Sequence, residues 1–437
     1  AKENDDDFPG TKLLIYVAYC FAYYHPKHYT INNVKKAKDV IFLKKEDKII
    51  HSSLIETKLM DERLSPYATK NSECIKVKHT LKPSTEFDIR WPFEKDIDRV
   101  LYSKSYSRYV DKTQALSFFS NIHITKRSLH VQWVSRIARQ IGRGLNLNLD
   151  LIEAIALGHD LGHAPYGHVG EKAINDCLEE RHFGYFTHNA NSVRNLLFIE
   201  RNGVGYNVSL QVLDGILCHN GEILSRIYKP DRQKTIQQFW QEYEKCWHEK
   251  DYSKRILPMT LEGCVVRISD VISYVGKDIE DAIKVGIINE DDLPEEVVRV
   301  LGKDNKSMIN RLIGDIVIHS YRKPYLEFSP EVYAALEVLF DFISTHIHHH
   351  PTLVKENEKL TRLVKELYNA FYEDLLDDKD EDHGIDRHVF KMIETYKETP
   401  PEMIVSDYLS GMTDSYALRV YEDRFLPKQH GEMIQDD

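Results

Sequence analysis

The stretch that decides the reading is Gly158-His159-Asp160-Leu161-Gly162-His163-Ala164-Pro165-Tyr166-Gly167-His168-Val169-Gly170-Glu171. It packs His159, His163, His168, Asp160 and Glu171 into fourteen residues. Just before it, Asn148 is suited to cap a helix, and Leu149, Ile152, Ile155 and Ala156 recur at helical spacing. Gly162, Pro165 and Gly167 then break that pattern into a loop. Imidazoles and carboxylates therefore gather where an apolar helix gives way to a turn, a place from which side chains can be aimed into a cleft. A divalent ion takes neutral imidazole and ionised carboxylate ligands. The adjacent His159 and Asp160 can supply two of them from one turn.

Such a centre needs further ligands from elsewhere in the chain. Upstream, Ser128 to Ile141 carries Val131, Val134, Ile137, Ala138 and Ile141 on one helical stripe. Gly142 and Gly144 are expected to end that helix. His130 lies beside the stripe, three residues after Arg127. Downstream, Leu261 to Ile279 predicts a long, largely buried helix. Asp270 interrupts its apolar run, and a carboxylate there is costly unless it is paired or metal-bound. Arg267 is the alternative partner. Asp270, Tyr274 and Asp278 are spaced i, i+4, i+8 and share one helix face.

The remaining sequence sets the frame. The chain has 437 residues, 42% hydrophobic and 29% charged, which is enough for a large core and two or three domains' worth of length. With 58 Lys plus Arg against 69 Asp plus Glu, the formal charge is −11, a poor match to wrapping duplex DNA by bulk charge. No apolar run reaches the roughly 18 residues of a membrane helix. Leu13 to Tyr24 is shorter, follows Asp5-Asp6-Asp7, and is expected to be a buried strand or helix. Cys20, Cys74, Cys177, Cys218, Cys246 and Cys264 form no CxxC pair, which suggests reduced thiols in a cytoplasmic protein. Residues 38–50 suggest a small hairpin, and from about residue 98 the pattern is helical. Asp374 to Asp386 is expected to be a solvated loop, and His346-Ile347-His348-His349-His350 a surface helix end. Phe239, Tyr243 and Trp247 form a stripe expected in a core.

The order His130, then His159-Asp160, then Asp270 resembles the H…HD…D pattern of the HD-domain phosphohydrolases. Neighbouring motifs narrow the resemblance to the bacterial dGTPase-type deoxynucleotide triphosphohydrolases. Arg108-Tyr109-Val110-Asp111-Lys112-Thr113-Gln114 resembles their RRLxxKTQ segment, and Arg127-Ser128-Leu129-His130 the start of RxxHS. The decisive stretch resembles HDLGHPPFGHxGE. Phe186 to Arg194 is similar to FxHNxQSLR, and Tyr408 to Ala417 to YIAGMTDRYA. The chain departs from these patterns at Val131, where the family usually has Ser, at Ala164, where it has Pro, and at Asn191, where it has Gln. Five ordered motifs spread from about Glu62 to about Phe425 are far more specific than an HD pair alone.

The resemblance implies a mainly α fold, a helical HD-domain hydrolase. Residues 61–437 would form it, with a metal-binding core over about 105–290 and a helical C-terminal part over about 291–437, after an N-terminal extension 1–60 holding the hairpin. It implies one divalent ion held by His130, His159, Asp160 and Asp270, with Mn or Mg favoured over Fe or Zn because phosphate chemistry suits hard cations. Such an ion polarises the α-phosphate and lowers the pKa of a water, for attack at the α-phosphorus. His188 and His163 become candidates to protonate the leaving 5′-oxygen or steer the water, with His168 and Glu171 orienting them. Arg127 suits bidentate phosphate contact. Tyr274 and Asp278 would meet the deoxyribose, and Gln114 and Tyr416 would line the substrate side. A homo-oligomer, hexamer or tetramer, and a dNTP or single-stranded DNA effector also follow from the resemblance. No membrane partner is expected.

Two other functions compete. Another HD nucleotidase or phosphodiesterase would act on a different phosphate ester and release no intact triphosphate. A non-catalytic nucleotide- or single-strand-sensing regulator would carry a broken ligand set, whereas all four ligands and both candidate acids are present in this sequence.

Overall fold

The computed structural model describes residues 58–78, 90–114, 125–221, 223–377 and 384–427. The hairpin expected at 38–50 and the apolar run Leu13 to Tyr24 lie outside the described residues. From Asp61 onward the described chain falls in one compact unit. The expectation of a mainly α fold holds.

The helices that position the site are α1 (Pro92–Leu101), α2 (Arg127–Leu145), α3 (Leu149–Gly158), α4 (His168–Glu180), α5 (His188–Arg194), α6 (Leu210–Leu217) and α7 (Ile236–His248). They are followed by α8 (Leu261–Lys284), α9 (Glu295–Leu301), α10 (Asn305–Ser320), α11 (Pro330–Ile343), α12 (Pro351–Leu376), α13 (Pro401–Ser410) and α14 (Asp414–Phe425). Strands β1 (Ile227–Tyr228) and β2 (Leu326–Glu327) pair antiparallel with Ile227 opposite Glu327. No described helix is long and apolar enough to cross a membrane. The described cysteines carry no disulfide.

Helices α2, α3 and α8 pack on one another and α6 packs across α3 and α8. The apolar positions read from the sequence point into this core: Val131, Val134, Ile141, Ile152, Ile155, Val266 and Ile268 are all fully buried. The Asn148 side chain accepts from the amides of Asp150 and Leu151, so the expected cap of α3 forms. Buried Glu262 ties the segment before α1 to this cap, accepting from the amides of Thr69 and Asn148 at 2.9 and 3.1 Å. The aromatic stripe Phe239, Tyr243 and Trp247 of α7 is buried, as expected.

Three helical boundaries differ from expectation. Helix α2 runs through Gly142 and Gly144 to Leu145. Those glycines make room for neighbours: a Cβ at Gly142 would meet Ile152 Cδ1 at 2.3 Å, and one at Gly144 would meet Val317 Cγ1 at 2.8 Å. The terminator is Asn146, in the left-handed region at φ 54°. Helix α8 continues past Ile279 to Lys284. Asp374 is no loop residue; it sits in α12, buried, and holds Arg424 of α14 through two bonds of 2.6 and 2.7 Å.

The C-terminal helices are fastened to the HD loop. Arg194 forks onto Asp407 with two 2.7 Å bonds. Buried Lys112 donates to the carbonyls of His163 and Ser410. Asp414, at the start of α14, accepts from the amides of Thr113 and Tyr166, both at 2.8 Å.

Gly162 sits where the HD loop crosses α5. A Cβ there would lie 2.3 Å from both the His188 carbonyl oxygen and the Ser192 amide nitrogen, atoms of backbone that have nowhere to go. Gly314 on α10 has nothing within 4 Å of the same position. Gly162→Ala is therefore expected to cost about 1–3 kcal/mol of stability, while Gly314→Ala gains about 0.4–1 kcal/mol. Denaturant unfolding of both variants checks this. Equal midpoints would contradict the packing described.

Candidate active site

The first turn of α2 carries Arg127 and His130, the end of α3 carries His159 and Asp160, and the middle of α8 carries Asp270. Their side chains meet. His130 Nε2 lies 2.9 Å from Asp270 Oδ1, and His159 Nε2 lies 3.3 Å from Asp160 Oδ1 and 3.8 Å from Asp270 Oδ1. Neither Nε2 is aligned for a hydrogen bond, although both are buried. The atoms draw together as two sets that share His159: His130, His159 and Asp270, and His159, Asp160 and His219. His159 Nδ1 is 2.7 Å from the Ala156 carbonyl, which fixes a proton there and turns Nε2 inward, toward the two carboxylates. Two orphaned imidazole nitrogens and two carboxylates fit a divalent cation.

The electrostatics agree with that. Burial disfavours charge on His159, yet Asp160 and then Asp270 hold its pKa up at about 9. Burial also works against ionisation of Asp160, but His159, Arg127 and His163 hold its carboxyl well below the usual range. The site is thus a buried concentration of negative charge awaiting a cation.

Arg127 is 1% exposed. Its guanidinium pairs with Asp160 and donates to the carbonyls of Thr113 and Gln114 at 3.1 and 3.3 Å. The side chain expected at phosphate is therefore engaged behind the carboxylate. Arg267, the alternative partner of Asp270, points to the Ile256 carbonyl at 3.2 Å and leaves Asp270 to the histidines.

A second cluster adjoins the first. His163, His168, Glu171 and His188 bring their polar atoms together. Glu171 is the hub. Its carboxylate faces His188 Nδ1 at 2.9 Å and His168 Nδ1 at 3.1 Å, and it accepts from the His188 amide at 2.8 Å. The rings of His163 and His188 stack with centroids 3.9 Å apart. His163 Nε2 reaches Asp160 Oδ1 at 3.3 Å, which links the clusters. Burial opposes ionisation of Glu171, but the charges of His188 and His168 and their hydrogen bonds hold it well below the usual range. Burial, Arg127 and His188 push His163 well below the ordinary imidazole value. His168 is the exposed member, with 56% of its side chain open to solvent.

On α8 the face shared with Asp270 continues outward. The Tyr274 hydroxyl donates to the Gly221 carbonyl at 3.4 Å. Asp278 Oδ2 lies 2.9 Å from His348 Nε2. The His346 to His350 tract is a surface helix end, as expected, with His348 reaching Asp278 from it. A π-helical turn, Ser344–His348, shifts the register after α11 and carries His348 back to α8. Gln114 meets the centre through its carbonyl, bonded to Arg127. Tyr416, on α14, is 39% exposed with the Arg419 guanidinium 5.2 Å from its ring centroid. The tie from its motif to the HD loop runs through Asp414. Asn191 is fully buried and donates to the Gly162 carbonyl at 2.8 Å and to Ser410 Oγ at 3.1 Å, so it holds the HD loop in place.

One residue of the centre went unread in the sequence. His219, just past the end of α6, places Nε2 3.5 Å from Asp160 Oδ1 and 3.1 Å from His188 Nε2. Its only local signal is one His after an apolar run, which by itself favours a core histidine. A separate convergence of Asp214, Cys218 and Glu242 is already neutralised. Lys234 Nζ sits among them, 2.8 Å from Asp214 and 2.7 Å from Glu242.

Comparison with known proteins agrees with this geometry. Residues 127–275 match the HD domain, and residues 326–423 match a phosphohydrolase-associated domain. The chain is 35% identical over 364 residues to a deoxyguanosinetriphosphate triphosphohydrolase-like protein of Caldanaerobacter subterraneus subsp. tengcongensis, covering 83% of this chain and 93% of that one. A protein of the same description from Clostridium tetani is 32% identical, covering 84% and 95%, and one from Clostridium perfringens (strain 13) is 36% identical, covering 78% and 89%. The matched HD segment begins at Arg127 and contains all four converging residues. The chain belongs to the HD-domain phosphohydrolases, in the deoxyguanosinetriphosphate triphosphohydrolase-like family.

Proposed function

We propose that this protein hydrolyses deoxynucleoside triphosphates to the deoxynucleoside and inorganic triphosphate. The observation that carries this reading is the pairing of two clusters. A buried His130, His159, Asp160 and Asp270 set fit for one cation adjoins a His163, Glu171 and His188 set that the cation does not need. The first suits activation at phosphorus, and the second suits proton transfer. The names of the relatives support a triphosphate substrate.

When bound, the ion supplies Lewis acidity at the α-phosphate and a water of lowered pKa; Mn or Mg suits this oxygen-rich chemistry. The chain's own residues do the rest. Arg127 holds Asp160 ionised and correctly turned. Glu171 orients His188, which donates its proton to the 5′-oxygen as the bond from that oxygen to the α-phosphorus breaks. The water's oxygen takes the vacated place on phosphorus, so triphosphate leaves intact. His163 stays a neutral neighbour that steers the attacking water. Tyr274 and Asp278 receive the deoxyribose, Asp278 accepting from its 3′-hydroxyl and Tyr274 crowding the 2′ position. His168, Gln114 and Tyr416 line the substrate side.

The cation assignment is checked by elemental analysis. Asp160→Ala and His159→Ala should each lose the bound metal and nearly all turnover. Full metal occupancy in both variants contradicts the four-ligand centre.

The substrate assignment is checked by product analysis. Incubation of the purified protein with each dNTP and Mn should yield deoxynucleoside and intact triphosphate, with dGTP cleaved much faster than GTP. Release of monophosphate or single phosphates points to another HD nucleotidase, and equal rates on GTP and dGTP reject the sugar pocket.

The acid assignment is checked by kinetics. A 5′-alkoxide is a poor leaving group, and a positioned acid contributes on the order of 10²–10⁴-fold. His188→Ala should lower kcat by that range while sparing metal content and KM, the signature of an interaction made in the transition state. Near-normal kcat in His188→Ala together with a collapse in His163→Ala would move the acid to the HD loop.

A further inference from the structure

His219 is the member of the centre for which the proposed reaction has no role. It follows α6, and its Nδ1 lies 2.5 Å from the Ile216 carbonyl, three residues back. His159 makes the same bond to Ala156, three residues back, at the end of α3. In both rings a carbonyl fixes a proton on Nδ1, and in the neutral His219 ring Nε2 then presents a lone pair. The Asn189 side chain donates to the His219 carbonyl at 2.9 Å and so ties the base of this turn to α5.

What the lone pair of His219 faces decides its role. Asp160 Oδ1, at 3.5 Å, is an acceptor that a lone pair cannot bond directly, although the two lie close enough, with His159, to face one ion. His188 Nε2, at 3.1 Å, is the remaining partner and must bring the proton. His188 Nδ1 already faces the Glu171 carboxylate at 2.9 and 3.0 Å, so both nitrogens of His188 face acceptors. An imidazole held that way is fixed in orientation at both ends.

We propose that His219 is a positioning residue, whose Nε2 holds the His188 Nε2 proton at the edge of the metal centre until the 5′-oxygen takes it. This rests on the reading of His188 as the acid. In the step itself, the electron pair of the bond between phosphorus and the 5′-oxygen passes to that oxygen. The oxygen binds the proton from His188 Nε2, and His188 is left neutral, its Nδ1 proton still on the ring and donated to the Glu171 carboxylate. His219 neither gains nor loses a proton.

The test compares His219→Leu, which removes the acceptor, with His219→Gln, whose amide oxygen restores one at similar reach. His219→Met serves as a second apolar variant should the leucine variant not fold. The apolar variants should lose about tenfold or more in kcat, a share of what a misplaced acid costs, with KM and metal content unchanged. His219→Gln should recover most of the loss. In a His188→Ala background, His219→Leu should add less than about twofold, because the two residues act as one unit. Metal loss in His219→Leu would make His219 a ligand and overturn the proposal. A glutamine variant as slow as the leucine variant would overturn it as well. If His188→Ala is slow but the apolar His219 variants keep full kcat, only this inference falls. If His188→Ala itself keeps full kcat, the acid reading falls and takes this one with it.

Discussion

The centre depends on one buried carboxylate. Asp160 is 4% exposed, and an ionised carboxylate in that position is costly unless its charge is met. Arg127 meets it from behind, and His159, His163 and His219 approach from the open side at 3.3, 3.3 and 3.5 Å. Each partner arrives on a different part of the chain: the start of α2, the end of α3, the HD loop and the turn after α6. Gathering these groups about Asp160 therefore goes with how those elements meet, and α8 then closes the group with Asp270. The pairing of Arg127 with Asp160 leaves an overall acidic site next to the imidazoles, which is what a divalent cation requires.

The acid cluster is built by the same logic one step out. Glu171 starts on the first turn of α4 and is held ionised by the histidines around it. It also accepts the backbone amide of His188, so it grips α5 at its N-terminus as well as at the ring. Ser192 of the same helix accepts from the Gly162 amide and donates to the His159 carbonyl, both at 2.8 Å. Helix α5 is therefore pinned to the metal-side turn through backbone groups. That pinning explains why Gly162 has no room for a Cβ. The spacing between His188 and the His159–Asp160 turn is set by these backbone bonds, not by long flexible side chains, and positioning for the proposed chemistry is where fractions of an ångström matter.

Much of this was legible in the sequence. The density of His and carboxylate between His159 and Glu171 is a local signal, and Asp270 stood out because an acid interrupts an apolar helical run. What was illegible depends on third dimensions that no spacing encodes. His219 is one histidine after Leu217 and Cys218, with nothing beside it to mark it; only the meeting of two helix ends places it against Asp160. Arg127 carried the right chemistry for phosphate, but its burial beneath the centre is a property of how α2 enters the core. Gly142 and Gly144 were taken as stops because a glycine's identity does not say whether it serves conformation or close packing. His348 meets Asp278 of α8 from the surface because a π turn changes the register that α-helical spacing assumes.

The turn His219-Asn220-Gly221 shows how conformation and packing separate. Gly221 is not among the glycines with positive φ, so the turn does not need glycine for its backbone. What excludes a side chain is Asp270: a Cβ on Gly221 would lie 2.2 Å from its Oδ2 and 3.0 Å from its Cγ. The Gly221 carbonyl meanwhile accepts from the Tyr274 hydroxyl, one turn further along α8. One short turn thus touches the acid cluster through His219, the proposed metal ligand through Gly221 Cα, and the proposed sugar side through the Gly221 carbonyl. Any residue larger than glycine at 221 would have to push Asp270 off its line to His130, and Tyr274 shares that helix face. The glycine at 221 is therefore set by the space that Asp270 leaves, and the turn lies beside all three proposed groups at once.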